Sequence, residues 1–311
     1  NDKGTHRMAV FEWGGGNRAS KTLFCVHGLT RNGRDFDLLA SSLYSFEKGI
    51  TQGRQGFVSA IMHEPKPDIW ENLNQTSIVD SYRVLSVDIA GRGKSQWHNN
   101  PAHYNYASYV SDIAYLITKL GLSDIHWLGT SMGGIIGMMI ANNFPNLLKT
   151  LILNDIGCFI PATGLTRISQ YVSSLTNFKT LELAQAELRC RCSQYGIKNE
   201  KHWQNLFTHS ICETENGSFN LSYDPAIASN LFPAGKPIED VNLWPLWEAV
   251  KKIPTMLIRG MDSDILTHQT AIEMERSHPN FSLLEIENTG HAPALMDAEQ
   301  INAIKRWLKC N

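Results

Sequence analysis

Long apolar runs are missing from this sequence. The most apolar stretch, around Gly133–Ala141 with Ile135, Ile136, Met138, Met139 and Ile140, is too short to span a bilayer, so no membrane insertion is expected. Asn1–Val10 is polar and lacks the apolar core of a signal peptide. An excess of one charge is also missing: 19% of residues are charged and the formal net charge is −2. A nucleic-acid partner would call for a basic stripe, and there is none. Only 6 of 311 residues are cysteine, and Cys190 and Cys192 stand one residue apart, a spacing that fits no zinc pattern. They read as isolated small hydrophobes, and a cytoplasmic, reducing setting is the expectation. The sequence has no H-E-x-x-H metal helix, no internal repeat and no low-complexity tract.

What is present is an alternation. With 42% hydrophobic residues, the chain can bury a full core. Short apolar strands are expected at Arg7–Trp13, Thr22–Val26, Arg83–Val87, Ile125–Leu128, Thr150–Leu153, Thr255–Ile258 and Ser282–Ile286. Helical spacing is expected at Arg34–Leu43, Tyr109–Leu120, Ile135–Asn142, Gln269–Arg276 and Ala298–Leu308. Such alternation predicts an α/β fold, with a mostly parallel twisted sheet flanked by helices. Ligands in such sheets sit beyond the carboxyl ends of the strands. Those ends are His27-Gly28, Asp88, Gly129–Ser131, Asp155 and Gly260–Asp264.

Two stretches break the alternation. Ile160–Val250 carries mostly helical patterns and no clear strand, which predicts an inserted helical cap (160–250) between two parts of a core (1–159 and 251–311). Ser45–Ser77 is a long connection punctuated by glycine and proline, and connections of that length are commonly functional. It could serve as a lid, a mobile loop or a contact in a homo-oligomer.

Gly129-Thr130-Ser131-Met132-Gly133 is a G-x-S-x-G sequence between an apolar strand and an apolar helix. That pattern builds a sharp turn with the serine at its tip. A serine hydroxyl becomes a nucleophile only when a base takes its proton. His291, in the loop between the last strand and the last helix, is placed for that task. His278, His268 and His126 fall in or beside helices and strands. A carboxylate must orient the base. Asp264 is the first choice, Asp262 the alternative, and Asp155, which also ends a strand, a further candidate. The oxyanion of an acyl-transfer intermediate needs N–H donors. These are expected at Met132, directly after the nucleophile, and Leu29, in the turn that begins at His27.

Taken together, His27-Gly28-Leu29, Asp88-Ile89-Ala90-Gly91-Arg92-Gly93-Lys94-Ser95, the Ser131 pentapeptide, Arg259-Gly260-Met261-Asp262-Ser263-Asp264 and Gly290-His291-Ala292-Pro293 resemble the capped α/β-hydrolase superfamily, in order and over nearly the whole chain. The resemblance implies Asp264 as the acid, a helical cap over the site, no metal and no organic cofactor. Ser45–Ser77 is longer than usual for that family.

Several look-alikes fall away. Gly93-Lys94-Ser95 lacks the first glycine of a phosphate-binding loop, since that position is Asp88; Arg92 reads as structural or solvent-facing. Gly14-x-Gly16-x-x-Ala19 precedes a strand rather than a helix and reads as a hairpin turn. Trp244-Pro245-Leu246-Trp247 reads as packing. The expected activity is hydrolysis of a small or medium carboxylic ester through an acyl-enzyme, with a largely apolar acyl pocket. A lactonase, thioesterase, carbon–carbon bond hydrolase or acyltransferase would use the same triad, and a hydrolase-like ligand-binding protein is the non-enzymatic alternative.

Overall fold

The computed structural model describes residues 6–14, 21–43, 82–172, 174 and 176–311. Ser45–Ser77 and most of the Gly14–Ala19 turn lie outside the described residues. Along the chain come β1 (Val10–Trp13), β2 (Lys21–Val26), α1 (Asp37–Leu43), β3 (Tyr82–Val87), α2 (Tyr106–Lys119), β4 (Ile125–Thr130), α3 (Met132–Asn143) and β5 (Leu148–Asn154). The next stretch holds β6 (Phe159–Ile160), α4 (Ala162–Val172), β7 (Asn177–Phe178), α5 (Leu181–Arg191), α6 (Glu200–Ser210), β8 (Ile211–Glu213), β9 (Phe219–Leu221), α7 (Ala228–Leu231), β10 (Val241–Asn242) and α8 (Trp244–Val250). The chain closes with β11 (Thr255–Gly260), α9 (His268–Ser277), β12 (Phe281–Ile286) and α10 (Ala298–Cys310).

Among the described residues the main sheet has the order β1-β3-β2-β4-β5-β11-β12. Only β1 runs antiparallel. Since β1 pairs with β3 and not with β2, the glycine turn between β1 and β2 is not a hairpin. β2, β4 and β5 are apolar and buried along most of their length, as strands covered on both faces must be. α3 is buried nearly all round, which its continuous apolar run dictates. α2 starts earlier than its apolar spacing suggests, because the Asn105 side chain caps it by accepting from the Ser108 amide.

β5 and β11 are neighbours in the sheet, yet about a hundred residues separate them in sequence. The stretch between them is not purely helical. β7, β9 and β8 form a small antiparallel sheet, and β6 pairs with β10. Strands of two or three residues are too short to show a two-residue period, so the sequence pattern could not reveal them. α8, the last element of this stretch, packs on α3. Trp247 is buried there against His278 and Phe281, with its indole N–H on Ser277 Oγ.

Candidate active site

Ser131 sits between β4 and α3 with φ 50° and ψ −114°, a left-handed backbone that no β-branched residue would accept. Two glycines make the turn possible by close approach. A Cβ on Gly129 would stand 2.3 Å from the Gly133 carbonyl carbon, and one on Gly133 would stand 2.0 Å from Val26 O. The turn therefore needs glycine on both sides of the serine, and it points the hydroxyl out beyond the sheet.

His291 Nε2 lies 2.9 Å from Ser131 Oγ. Its Nδ1 lies 2.7 Å from Asp155 Oδ2. Asp155 follows β5 with φ 54° and is fully buried. Its carboxylate also accepts from the Gly260 amide at 2.7 Å and from Ser263 Oγ at 2.5 Å. The loop after β11 thus supplies donors to the carboxylate that faces His291.

The expectation for Asp264 is corrected here. Its carboxylate forms a two-pronged ion pair with Arg167 of α4, at 2.5 and 2.6 Å. Burial works to raise that carboxyl, but the Arg167 hydrogen bond and charge outweigh it and hold it below the usual range. Asp262, the alternative, is exposed, and its amide donates to Thr289 O. The physical reason is adjacency. β5 and β11 lie side by side, so both strand ends deliver a carboxylate to the same neighbourhood, and sequence order alone cannot rank them. The signal for Asp155 was its place directly at the end of β5.

Gly28 lies beside the serine: a Cβ on it would be 3.7 Å from Ser131 Cβ. Leu29 and Met132 border the same cavity as Ser131. The Met132 amide opens α3 and has no acceptor within its own helix, at the end where the helix dipole favours negative charge. Arg92 fixes the other side. It is fully buried; its Nε donates to Leu29 O at 2.8 Å and its Nη1 to Ala90 O and Tyr109 Oη. Sequence reasoning left Arg92 between structural and solvent-facing roles, because one buried cation cannot be told from a surface one without its acceptors. His27 is also structural. Its Nδ1 bonds Gly28 O and its Nε2 accepts from the Ile89 amide. Burial lowers its pKa to about 3, so it stays neutral.

The family model of the alpha/beta hydrolase fold matches residues 21–185. A 3-hydroxybutyrate-oligomer hydrolase from Cupriavidus necator is 32% identical over 304 residues, covering 96% of this chain and 91% of that protein. The chain belongs to the α/β-hydrolase fold family. Solved structures agree with the assignment. A hydrolase candidate from Rickettsia typhi has a TM-score of 0.81 at 35% identity, covering 98% of this chain and 92% of that one. An α/β hydrolase from Novosphingobium aromaticivorans has a TM-score of 0.78 at 29% identity, covering 98% and 94%.

In this α/β hydrolase, among the described residues, a larger and a smaller cavity meet the serine. The larger, about 750 Å³, runs between the core and the insertion and is lined mostly by apolar groups such as Ile135, Met139, Ile160, Leu165 and Leu243. The smaller, about 40 Å³, is bordered by Ser131, His291, Arg31, Asp35 and Tyr195. Arg31 is buried; its Nε and Nη2 reach Asp35 at 2.9 and 2.6 Å, and Nη2 also reaches Ser210 Oγ.

Proposed function

We propose that this α/β hydrolase cleaves carboxylic esters through a serine acyl-enzyme, and that its substrates are short oligoesters of hydroxy acids. The observation that carries the chemistry is the unbroken hydrogen-bond path from Ser131 through His291 to Asp155. Ser131 Oγ attacks the ester carbonyl as His291 Nε2 takes its proton. Asp155 holds the Nδ1–H tautomer and stabilises the imidazolium that forms. The oxyanion collects the amides of Leu29 and Met132. Collapse of the intermediate expels the alcohol, which receives the proton from His291. Water, deprotonated by the same imidazole, then releases the acid.

The substrate class draws support from the Cupriavidus necator relative, whose name specifies 3-hydroxybutyrate oligomers. It also draws support from the cavities. An oligoester of a hydroxy acid has an apolar body and a free carboxylate at one end. The large apolar cavity suits the body. Arg31, which borders the smaller cavity together with Ser131, suits the carboxylate, while Asp35 spends its charge on the same guanidinium. The insertion acts as a cap, held to the core by the Arg167–Asp264 pair.

The test measures hydrolysis of linear 3-hydroxybutyrate dimer and trimer, alongside p-nitrophenyl esters from acetate to decanoate, with wild type and Ser131→Ala. Release of monomer that collapses in the variant is the expected result. Cleavage of the p-nitrophenyl esters without the oligomers would overturn the substrate class and leave the serine chemistry standing. A folded protein that cleaves neither, and that a serine-directed phosphonate does not label at Ser131, would sink the enzymatic reading in favour of ligand binding alone.

A further inference from the structure

Away from the serine, three side chains from distant parts of the chain converge. His6 precedes β1, His98 lies in the connection between β3 and α2, and Asp112 projects from α2. One ligand atom from each lies within 4.8 Å of the others. His6 Nε2 stands 3.1 Å from Asp112 Oδ2, and the two imidazole rings meet edge to face at 4.7 Å. His6 Nε2, His98 Nε2 and Asp112 Oδ2 are all shielded from solvent, and none has a hydrogen-bond partner.

Three shielded polar atoms turned toward one another are costly unless something satisfies them all. Pairing His6 Nε2 with Asp112 Oδ2 leaves His98 Nε2 unsatisfied. A cation shared by all three satisfies every one of them. We propose that His6, His98 and Asp112 form a binding site for a divalent transition-metal ion, with zinc as the best fit. Two imidazole nitrogens and a carboxylate oxygen match zinc, cobalt or nickel rather than magnesium or calcium, which take oxygen donors. A tetrahedral ion about 2.0–2.1 Å from each donor sets them roughly 3.3–3.4 Å apart. The His6–Asp112 separation of 3.1 Å is close to that spacing, and a ligand atom of His98 lies within 4.8 Å of both. Water takes the fourth position.

The surroundings hold His98 in place for this role. Its backbone N–H donates to Tyr104 Oη at 2.8 Å and its ring packs on Tyr104 at 5.0 Å. Tyr104 Oη in turn donates to Asp224 of the insertion at 2.6 Å. A bound ion would tie the segment entering edge strand β1 to α2 and to the connection that carries Arg92. Its role is structural, independent of the serine chemistry.

Equilibrium dialysis of the full chain against Zn2+, with metal quantified, gives the stoichiometry. Co2+ substitution gives the ligand field. About one ion per chain is expected, with the visible absorption of a four-coordinate cobalt centre and a rise in melting temperature on adding Zn2+. Asp112→Asn and His98→Gln should each weaken binding by at least roughly tenfold and abolish the thermal shift. His6→Gln, which lies before the first strand, serves as the variant least able to disturb folding and should do the same. Failure of wild type to bind, or binding that survives all three substitutions unchanged, would overturn the proposal.

Discussion

Asp155 Oδ2 lies 2.7 Å from His291 Nδ1, and the same carboxylate receives the Gly260 amide and the Ser263 hydroxyl. Three hydrogen-bond partners on a fully buried carboxylate fix its direction. Asp264, on the neighbouring strand end, spends its charge on Arg167 instead.

These two aspartates should therefore respond very differently to amide substitution. Asp155→Asn is expected to lower kcat by about four orders of magnitude, because the amide favours the wrong imidazole tautomer. Asp264→Asn should change kcat within about fivefold, the scale of a part-exposed ion pair. Steady-state kinetics on a p-nitrophenyl ester decides it. Equal damage from the two variants would return Asp264 to the triad.

Arg92 acts through Leu29. Replacing it with lysine removes the fork that holds the Leu29 and Ala90 carbonyls, and leaves those acceptors buried. The expected outcome for Arg92→Lys is a fall in kcat of roughly 10- to 100-fold with KM little changed. Circular dichroism should confirm an intact fold. An unchanged kcat would mean that the Leu29 turn does not depend on this arginine.

Selectivity for a free carboxylate can be read at Arg31. Arg31→Gln should raise KM for the 3-hydroxybutyrate dimer by roughly 10- to 100-fold, the worth of a charge-assisted hydrogen bond. The methyl ester of the same dimer should be affected far less. Parallel changes on both substrates would remove Arg31 from recognition and leave it a packing role.

His126 gives a pH signature unrelated to catalysis. Burial, with the Lys21 and Lys149 charges, holds its pKa down to about 4 from an ordinary 6.5. The folded protein keeps it neutral while the unfolded chain takes up a proton. Its contribution to stability is thus present above about pH 6.5 and is lost as pH falls toward about 4. Asp37 and Asp88, whose pKa values burial raises to about 6, act in the opposite sense over that range. The measurement must therefore be a difference between variants. Urea midpoints of wild type and His126→Gln should converge, or cross, as pH is lowered from about 7 to about 5. Parallel curves would contradict the assignment.

Much of this was legible in the sequence because strand ends are punctuated by residues with few alternatives. Gly129 and Gly133 admit no Cβ, and an apolar strand and helix flank them, so the Ser131 turn could be read directly. His291 followed from its place after the last strand. The carboxylate that meets His291 did not, because its identity depends on which of two adjacent loops turns its carboxylate inward. That choice rests on the Ser263 hydroxyl and the Gly260 amide, contacts between residues more than a hundred positions from Asp155. The small sheets of the insertion escaped for a different reason: β6, β7 and β10 are two residues long. The His6, His98 and Asp112 cluster has no local spacing at all, since each residue comes from a different element.

The place of Asp155 before the insertion, rather than after it, divides the chain unequally. Ser131, Asp155 and both amides proposed for the oxyanion all precede residue 156, while His291 arrives from beyond β11. A chain cut within the insertion would yield one fragment holding Ser131 and Asp155, and a second holding His291 together with the Gly260 and Ser263 donors to Asp155. Reassociation of the two pieces could then be followed by the return of turnover, with His291 and both Asp155 donors arriving together on the second piece.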